Sequence, residues 1–138
     1  SDMHWINKRL GADRLNEVYN WQSLLKAGTI IAGGSDAPVE SPDPLPGIYA
    51  AVTRKDKAGE PAGGWQGHER LTREQALLMY TQWPAYASFL ENKIGKIKPG
   101  FQANFTVLSK NLMSVLPEDI LKTKVLFTIV NGKVVYAE

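Results

Sequence analysis

The residues best placed to do chemistry stand together in Gly33-Gly34-Ser35-Asp36-Ala37-Pro38, directly after the apolar run Thr29-Ile30-Ile31-Ala32. An unalternating apolar run of this length suits a strand buried on both faces of a parallel sheet. A polar cluster at the carboxyl end of such a strand is where α/β folds place their reacting groups. Two glycines let the backbone turn sharply and Pro38 fixes the exit, so the strand end would present the Asp36 carboxylate. Held this way, Asp36 can ligate a metal ion or act as a general base. It can equally be a turn or helix-capping residue, because Asp commonly bonds nearby backbone.

Ser35 offers a second chemistry. Its surroundings are one glycine short of a nucleophile elbow, and Asp43 or Asp56 followed by His68 would complete the Ser, Asp, His order of a serine hydrolase. Ala37 stands where that motif has its last glycine, and Gly34 where a bulkier residue is usual. The two histidines, His4 and His68, are far apart and belong to no closely spaced pair, so spacing reveals no metal site and both read as surface residues. Trp5, Trp21, Trp65 and Trp83 do not interleave with basic residues. They are expected as core anchors rather than as stacking platforms for nucleic acid.

Composition narrows the classes further. At 138 residues and 43% apolar content the chain is one domain or a piece of a larger one, able to bury a sizeable core, which excludes disordered and fibrous classes. Sixteen Lys and Arg against fourteen Asp and Glu leave +2, interspersed along the chain. That balance lacks the footprint of a nucleic-acid tail or a polybasic membrane patch. No apolar run approaches the roughly 18 residues of a membrane span, and the opening residues lack the order of a signal peptide. A soluble chain is therefore expected, with the compartment left open and the cytoplasm as its default. Zero cysteines exclude disulfides, thiolate metal sites and cysteine nucleophiles, so any metal would use His, Asp or Glu.

The elements that must position these residues change character near residue 92. Before it, helical periods dominate. One helix is predicted from about Asp13 to Ala27, with Leu15, Val18, Trp21, Leu24 and Leu25 on one face and Gly28 as its left-handed end. Another runs from Pro44 to Arg54 with Leu45, Ile48, Tyr49 and Val52 inward, followed by a surface loop over Lys55 to Arg70 anchored by Trp65. Thr72-Arg73-Glu74-Gln75 reads as a capping box opening a helix to about Thr81. Trp83-Pro84 would interrupt it before a short helix from Pro84 through Phe89. After residue 92 come a type II turn at Lys98-Pro99-Gly100-Phe101, a strand near Asn104 to Ser109, one helical turn over Pro117 to Leu121, and strands flanking Asn131-Gly132. The fold class is α/β, with residues 1–91 and 92–138 as two parts.

A longer pattern runs through Gly34-Ser35-Asp36-Ala37-Pro38-Val39-Glu40. Together with Asp2-Met3, Arg9-Leu10-Gly11, Pro44-Leu45, Gly47 to Arg54, Leu71-Thr72, Ala85-Tyr86-Ala87 and Gly132 to Tyr136, it resembles the carboxyl-terminal third of amidohydrolase-superfamily enzymes of the family 3 type. The resemblance implies the last strand and helices of a (β/α)₈ barrel, with Thr29 to Ala32 as the eighth strand, and a tail that belongs to a small β-sandwich. It implies that Asp36 ligates the metal, expected to be zinc, or takes the proton of the attacking water. The His-x-His pair and the remaining ligands would lie upstream of residue 1, so no ion is expected to bind tightly to this chain alone. The substrate would be a small amide or an acylated amino acid. Ala103-Asn104-Phe105 departs from the family's Ala-Asp-Phe, keeping an acceptor while losing a charge.

Two physical arguments support a fragment. A (β/α)₈ barrel takes about 250 residues. A buried parallel strand also needs neighbours on both edges, and only one such strand is legible. Isolated, the chain is expected to self-associate and to lack activity. A non-catalytic association module is the rival from another class.

Overall fold

A computed structural model describes residues 2–138. The predicted first helix is divided. After α1 (Ile6–Leu10), a 3₁₀ segment covers Ala12–Glu17 and α2 covers only Trp21–Lys26. Between them Val18 is extended and Tyr19 has φ of 54°. Tertiary contacts override the periodicity here: the Tyr19 ring meets Trp21 and Trp65 edge-on, its hydroxyl donates to Asp2, and Gln66 donates to the Leu15 carbonyl. A β-branched and an aromatic residue give helix little advantage at this junction. Gly28 ends α2 as predicted, with φ of 85°. Its N–H bonds Leu25 and that of Thr29 bonds Leu24, the paired bonds of a Schellman motif.

Thr29 to Ala32 is not a sheet strand among the described residues. Thr29, Ile30 and Ala32 are exposed, and Ile31 is half-buried against the core. A strand exists only by pairing, and no described segment pairs with this one. Its anchor is Gly33, whose N–H donates to the Met79 carbonyl at 2.9 Å. A side chain at Gly33 would put Cβ 2.8 Å from Met79 Cγ, so only glycine allows that approach.

Helix α3 spans Pro44–Thr53. The Asp43 carboxylate caps it by accepting from the Leu45 N–H at 3.0 Å, Pro44 takes the first position, and Arg54 closes it in the left-handed region. The loop that follows is as predicted, apart from a 3₁₀ turn at Gly67–Glu69. Both bonds of the capping box at Thr72 form, opening α4 (Arg73–Met79). Helix α5 covers Gln82–Ala87, so the interruption falls at Thr81 rather than at Trp83-Pro84. Pro84 sits in the first turn of α5, where a backbone N–H would have no intrahelical partner to lose.

The tail follows its turn chemistry. Gly100 has φ of 88° and the Phe101 N–H donates to the Lys98 carbonyl. Strand β1 (Phe105–Leu108), α6 (Pro117–Ile120), β2 (Val125–Val130) and β3 (Lys133–Ala137) follow, with an antiparallel sheet ordered β1-β2-β3. Asn131 and Gly132 both take positive φ, as a two-residue hairpin turn requires. Asn104 Oδ1 accepts from the Asn131 N–H at 2.8 Å, so its acceptor ties the hairpin to β1. The core joins Leu45, Ile48, Tyr49 and Ala51 of α3 to Leu71, to Ala76 and Met79 of α4, and to Ile120 of α6. Arg73 braces this packing by donating to the carbonyls of Leu112 and Val115.

Candidate functional site

Once Gly33 has pinned the chain to α4, the backbone reverses over the next residues. The Val39 N–H donates to the Asp36 carbonyl at 2.9 Å, and that of Glu40 to the Ser35 carbonyl at 3.2 Å. Asp36 takes φ of 51°, a left-handed conformation that Asp tolerates better than most residues. It caps no helix, since that task near it falls to Asp43. Its carboxylate is exposed, makes no side-chain hydrogen bond to the described residues, and lines a cavity of about 460 Å³.

Another part of the cavity lining is aromatic and built around a buried cation. Arg54 is 5% exposed. Its guanidinium carbon lies 4.4 Å from the centroid of Trp21 and 5.1 Å from that of Trp65, and Nε donates to the Trp65 carbonyl at 3.0 Å. Burial lowers the Arg54 pKa and the charge of Glu69 opposes that shift. Burial pushes Glu69 up in turn, but hydrogen bonds from the Ser23 hydroxyl and N–H and from the Gln22 N–H leave it below the ordinary carboxylate value. Tyr19 completes the wall. Its pKa is pushed up to about 12, first by the hydrogen bond to Asp2, then by burial and by the Asp2 charge.

The serine-hydrolase arrangement is not assembled. Ser35, Asp43 and Asp56 line a second, adjoining cavity of about 550 Å³, but His68 is not among the residues lining either cavity. His68 is largely exposed with Nε2 3.8 Å from Glu69 Oε1, on a turn fastened to α2 through Glu69 and Ser23. His4 instead approaches Asp56 Oδ2 at 3.4 Å. Among the described residues no three His, Cys, Asp or Glu side chains converge as a metal site would need. A zinc ion takes three or four protein ligands, so Asp36 alone does not make the described chain fit one. No described helix is long and apolar enough to cross a membrane.

The sequence reading did not foresee Arg54, Trp21, Trp65 and Tyr19 as one wall. Trp21 lies in α2, Arg54 caps the end of α3, and Tyr19 and Trp65 lie in connecting segments; the only local hint was an arginine directly after the apolar face of α3.

Comparisons with known proteins point to one family. The chain is 38% identical over 136 residues to the Bacillus subtilis protein YtcJ, an amidohydrolase by assignment, covering 99% of this chain and 26% of that one. It is 37% identical over 136 residues to the Arabidopsis thaliana protein LONG AFTER FAR-RED 3, covering 98% and 23%. It is 33% identical over 120 residues to the N-substituted formamide deformylase of Arthrobacter pascens, covering 87% and 22%. The crystal structure of an amidohydrolase from Thermotoga maritima superposes with a TM-score of 0.62 at 27% identity, over 87% of this chain and 26% of that one. The chain thus spans about a quarter of the length of these relatives. Because the model of the amidohydrolase family matches residues 2–136, nearly end to end, the chain belongs to that family.

Proposed function

We propose that residues 1–138 form the carboxyl-terminal part of a metal-dependent enzyme that hydrolyses an amide or related C–N bond, with Asp36 as its proton acceptor. The observation that carries this reading is the Asp36 carboxylate, held at a left-handed turn with no side-chain partner among the described residues and turned to a cavity. In the reaction, the attacking water gives a proton to Asp36 as its oxygen bonds the carbonyl carbon. The same proton passes to the departing nitrogen as the C–N bond breaks, so Asp36 ends as it began. A divalent ion, zinc by the family resemblance, would polarise the carbonyl when bound. Its ligands other than Asp36 would come from the remaining three quarters of the protein.

On the same reading, Thr29 to Ala32 is the last strand of a (β/α)₈ barrel and the three-stranded sheet is one part of a β-sandwich. Residues 1–91 and 92–138 divide between them. The relative named N-substituted formamide deformylase makes such small amides the first substrates to test. Hydrolysis of N-substituted formamides and acylated amino acids by the full-length protein, abolished by a chelator and restored by zinc, is the expected result. Turnover that survives chelation would overturn the metal-dependent reading. By itself the 138-residue chain is expected to hydrolyse neither class and to self-associate through the exposed 29–32 segment and the open sheet edges. Light scattering showing a monomer at micromolar concentration would refute the latter.

A further inference from the structure

We propose that Tyr80 is a substrate-binding residue, its phenolic hydroxyl donating a hydrogen bond to the carbonyl oxygen of the amide presented to Asp36. The proposal rests on the reading of Asp36 as the reacting end of the site. Tyr80 directly follows α4, whose last residue, Met79, accepts the Gly33 N–H at 2.9 Å. Gly33 stands three residues before Asp36, so one backbone contact sets Tyr80 and the turn of Asp36 against each other. The hydroxyl is placed from the other side. A Cβ at Gly47 of α3 would overlap the Tyr80 hydroxyl oxygen, so the phenol fills space that only glycine leaves open. Glycine inside a helix is disfavoured relative to alanine, and this contact gives the reason for one here. Gly47 and Tyr80 both line the cavity of Asp36 and the adjoining one, so the hydroxyl stands where the two cavities meet.

What the hydroxyl does there follows from its partners. That of Tyr19 donates to Asp2, whereas that of Tyr80 makes no hydrogen bond to the described residues. Burial raises the Tyr80 pKa, so the phenol keeps its proton through the neutral range and stays a donor. A half-buried hydroxyl without a partner is unfavourable, and phenylalanine would fill the place of the ring without that cost. A hydroxyl in such a place, with a glycine to admit it, is explained by an acceptor that arrives with the substrate. A phenol is uncharged and a carbonyl oxygen carries two lone pairs. The assignment therefore holds whatever the balance among the cavity carboxylates, Lys55 and a divalent ion near Asp36.

The test compares two ligands that differ at the acceptor. N-phenylformamide carries the carbonyl oxygen, whereas N-methylaniline keeps the ring and the N–H and has a methyl in place of the formyl group. Both are titrated calorimetrically into the full-length protein bearing Asp36→Asn, which lacks the proposed base, with Tyr80 intact and with Tyr80→Phe. The Phe variant should bind N-phenylformamide about threefold to tenfold more weakly, bind N-methylaniline within about twofold of its original affinity, and melt no lower. Equal losses for both ligands, an unchanged affinity for N-phenylformamide, or no binding of it with Tyr80 intact, overturns the proposal. So does a lowered melting temperature or a failure to fold, either of which would give the hydroxyl a partner within the protein. If the loss specific to the carbonyl ligand is found while the unaltered protein hydrolyses no amide, the hydrolase reading fails and Tyr80 stands as a ligand-binding residue.

Discussion

The pairing of α3 with α4 and the segment from residue 29 to residue 40 lie side by side but are ordered in opposite ways. In the helix pair each local demand is met within the chain: Asp43 and Thr72 cap the two helices, and Ala51 and Ala76 are completely buried between them. The 29–40 segment has strand-forming residues without a strand partner, exposed apolar side chains, and one backbone bond to α4 through Gly33. On the proposed reading, one region stores stability and the other holds chemistry in place. A reacting carboxylate must stay accessible and poorly partnered, and a scaffold residue must not. The cost of presenting Asp36 is thus carried by neighbours that need nothing from it.

Five measurements would break or sharpen this contrast. The largest effect is expected from Asp36→Asn in the full-length protein, which keeps the shape and removes the base. Its kcat should fall by about 10²–10⁴ with little change in melting temperature. Normal turnover with a lowered melting temperature would make Asp36 a turn residue after all. On the scaffold side, Ile120→Ala should cost about 2–5 kcal/mol in urea denaturation, because Ile120 is fully buried where α6 meets α3. A cost below about 1 kcal/mol would mean that the site collapses around the gap.

Gly33→Ala acts at the seam between the regions. The added methyl would crowd Met79, costing about 1–3 kcal/mol and displacing the turn that carries Asp36. Stability and kcat should fall together, and a loss of stability alone would show that the turn is positioned by something else. Thr72→Ala should cost about 0.5–2 kcal/mol through the lost cap and leave kcat unchanged.

The smallest effect concerns alkaline pH. Tyr19 ionises near 10 when unfolded and near 12 in the folded protein, so the unfolded chain loses that proton first. The contribution of Tyr19 is fully present below pH 10 and lost as pH rises to about 12. Tyr19→Phe should flatten that part of the stability profile in a series of denaturation curves. An unaltered slope would remove the Tyr19 and Asp2 pair from the account.

Several features of this protein were determined locally and so were legible in the residues themselves. The capping box at Thr72, the left-handed end at Gly28, the type II turn at Gly100 and the hairpin at Asn131-Gly132 formed as their chemistry demands, since each is settled by a few neighbouring residues. The sharp turn that follows Gly33-Gly34 was recognisable for the same reason. Tertiary structure decided where local preferences were weak or partners distant. It broke the helix expected over Asp13 to Ala27 at Tyr19, because contacts with Asp2, Trp21 and Trp65 outweigh a modest helical period. It left Thr29 to Ala32 unpaired, because a strand is defined by neighbours and none lies among the described residues. It also parted His68 from Ser35 and brought Arg54 between two indoles. Those contacts join residues distant in the chain, and residue spacing carries no information about them.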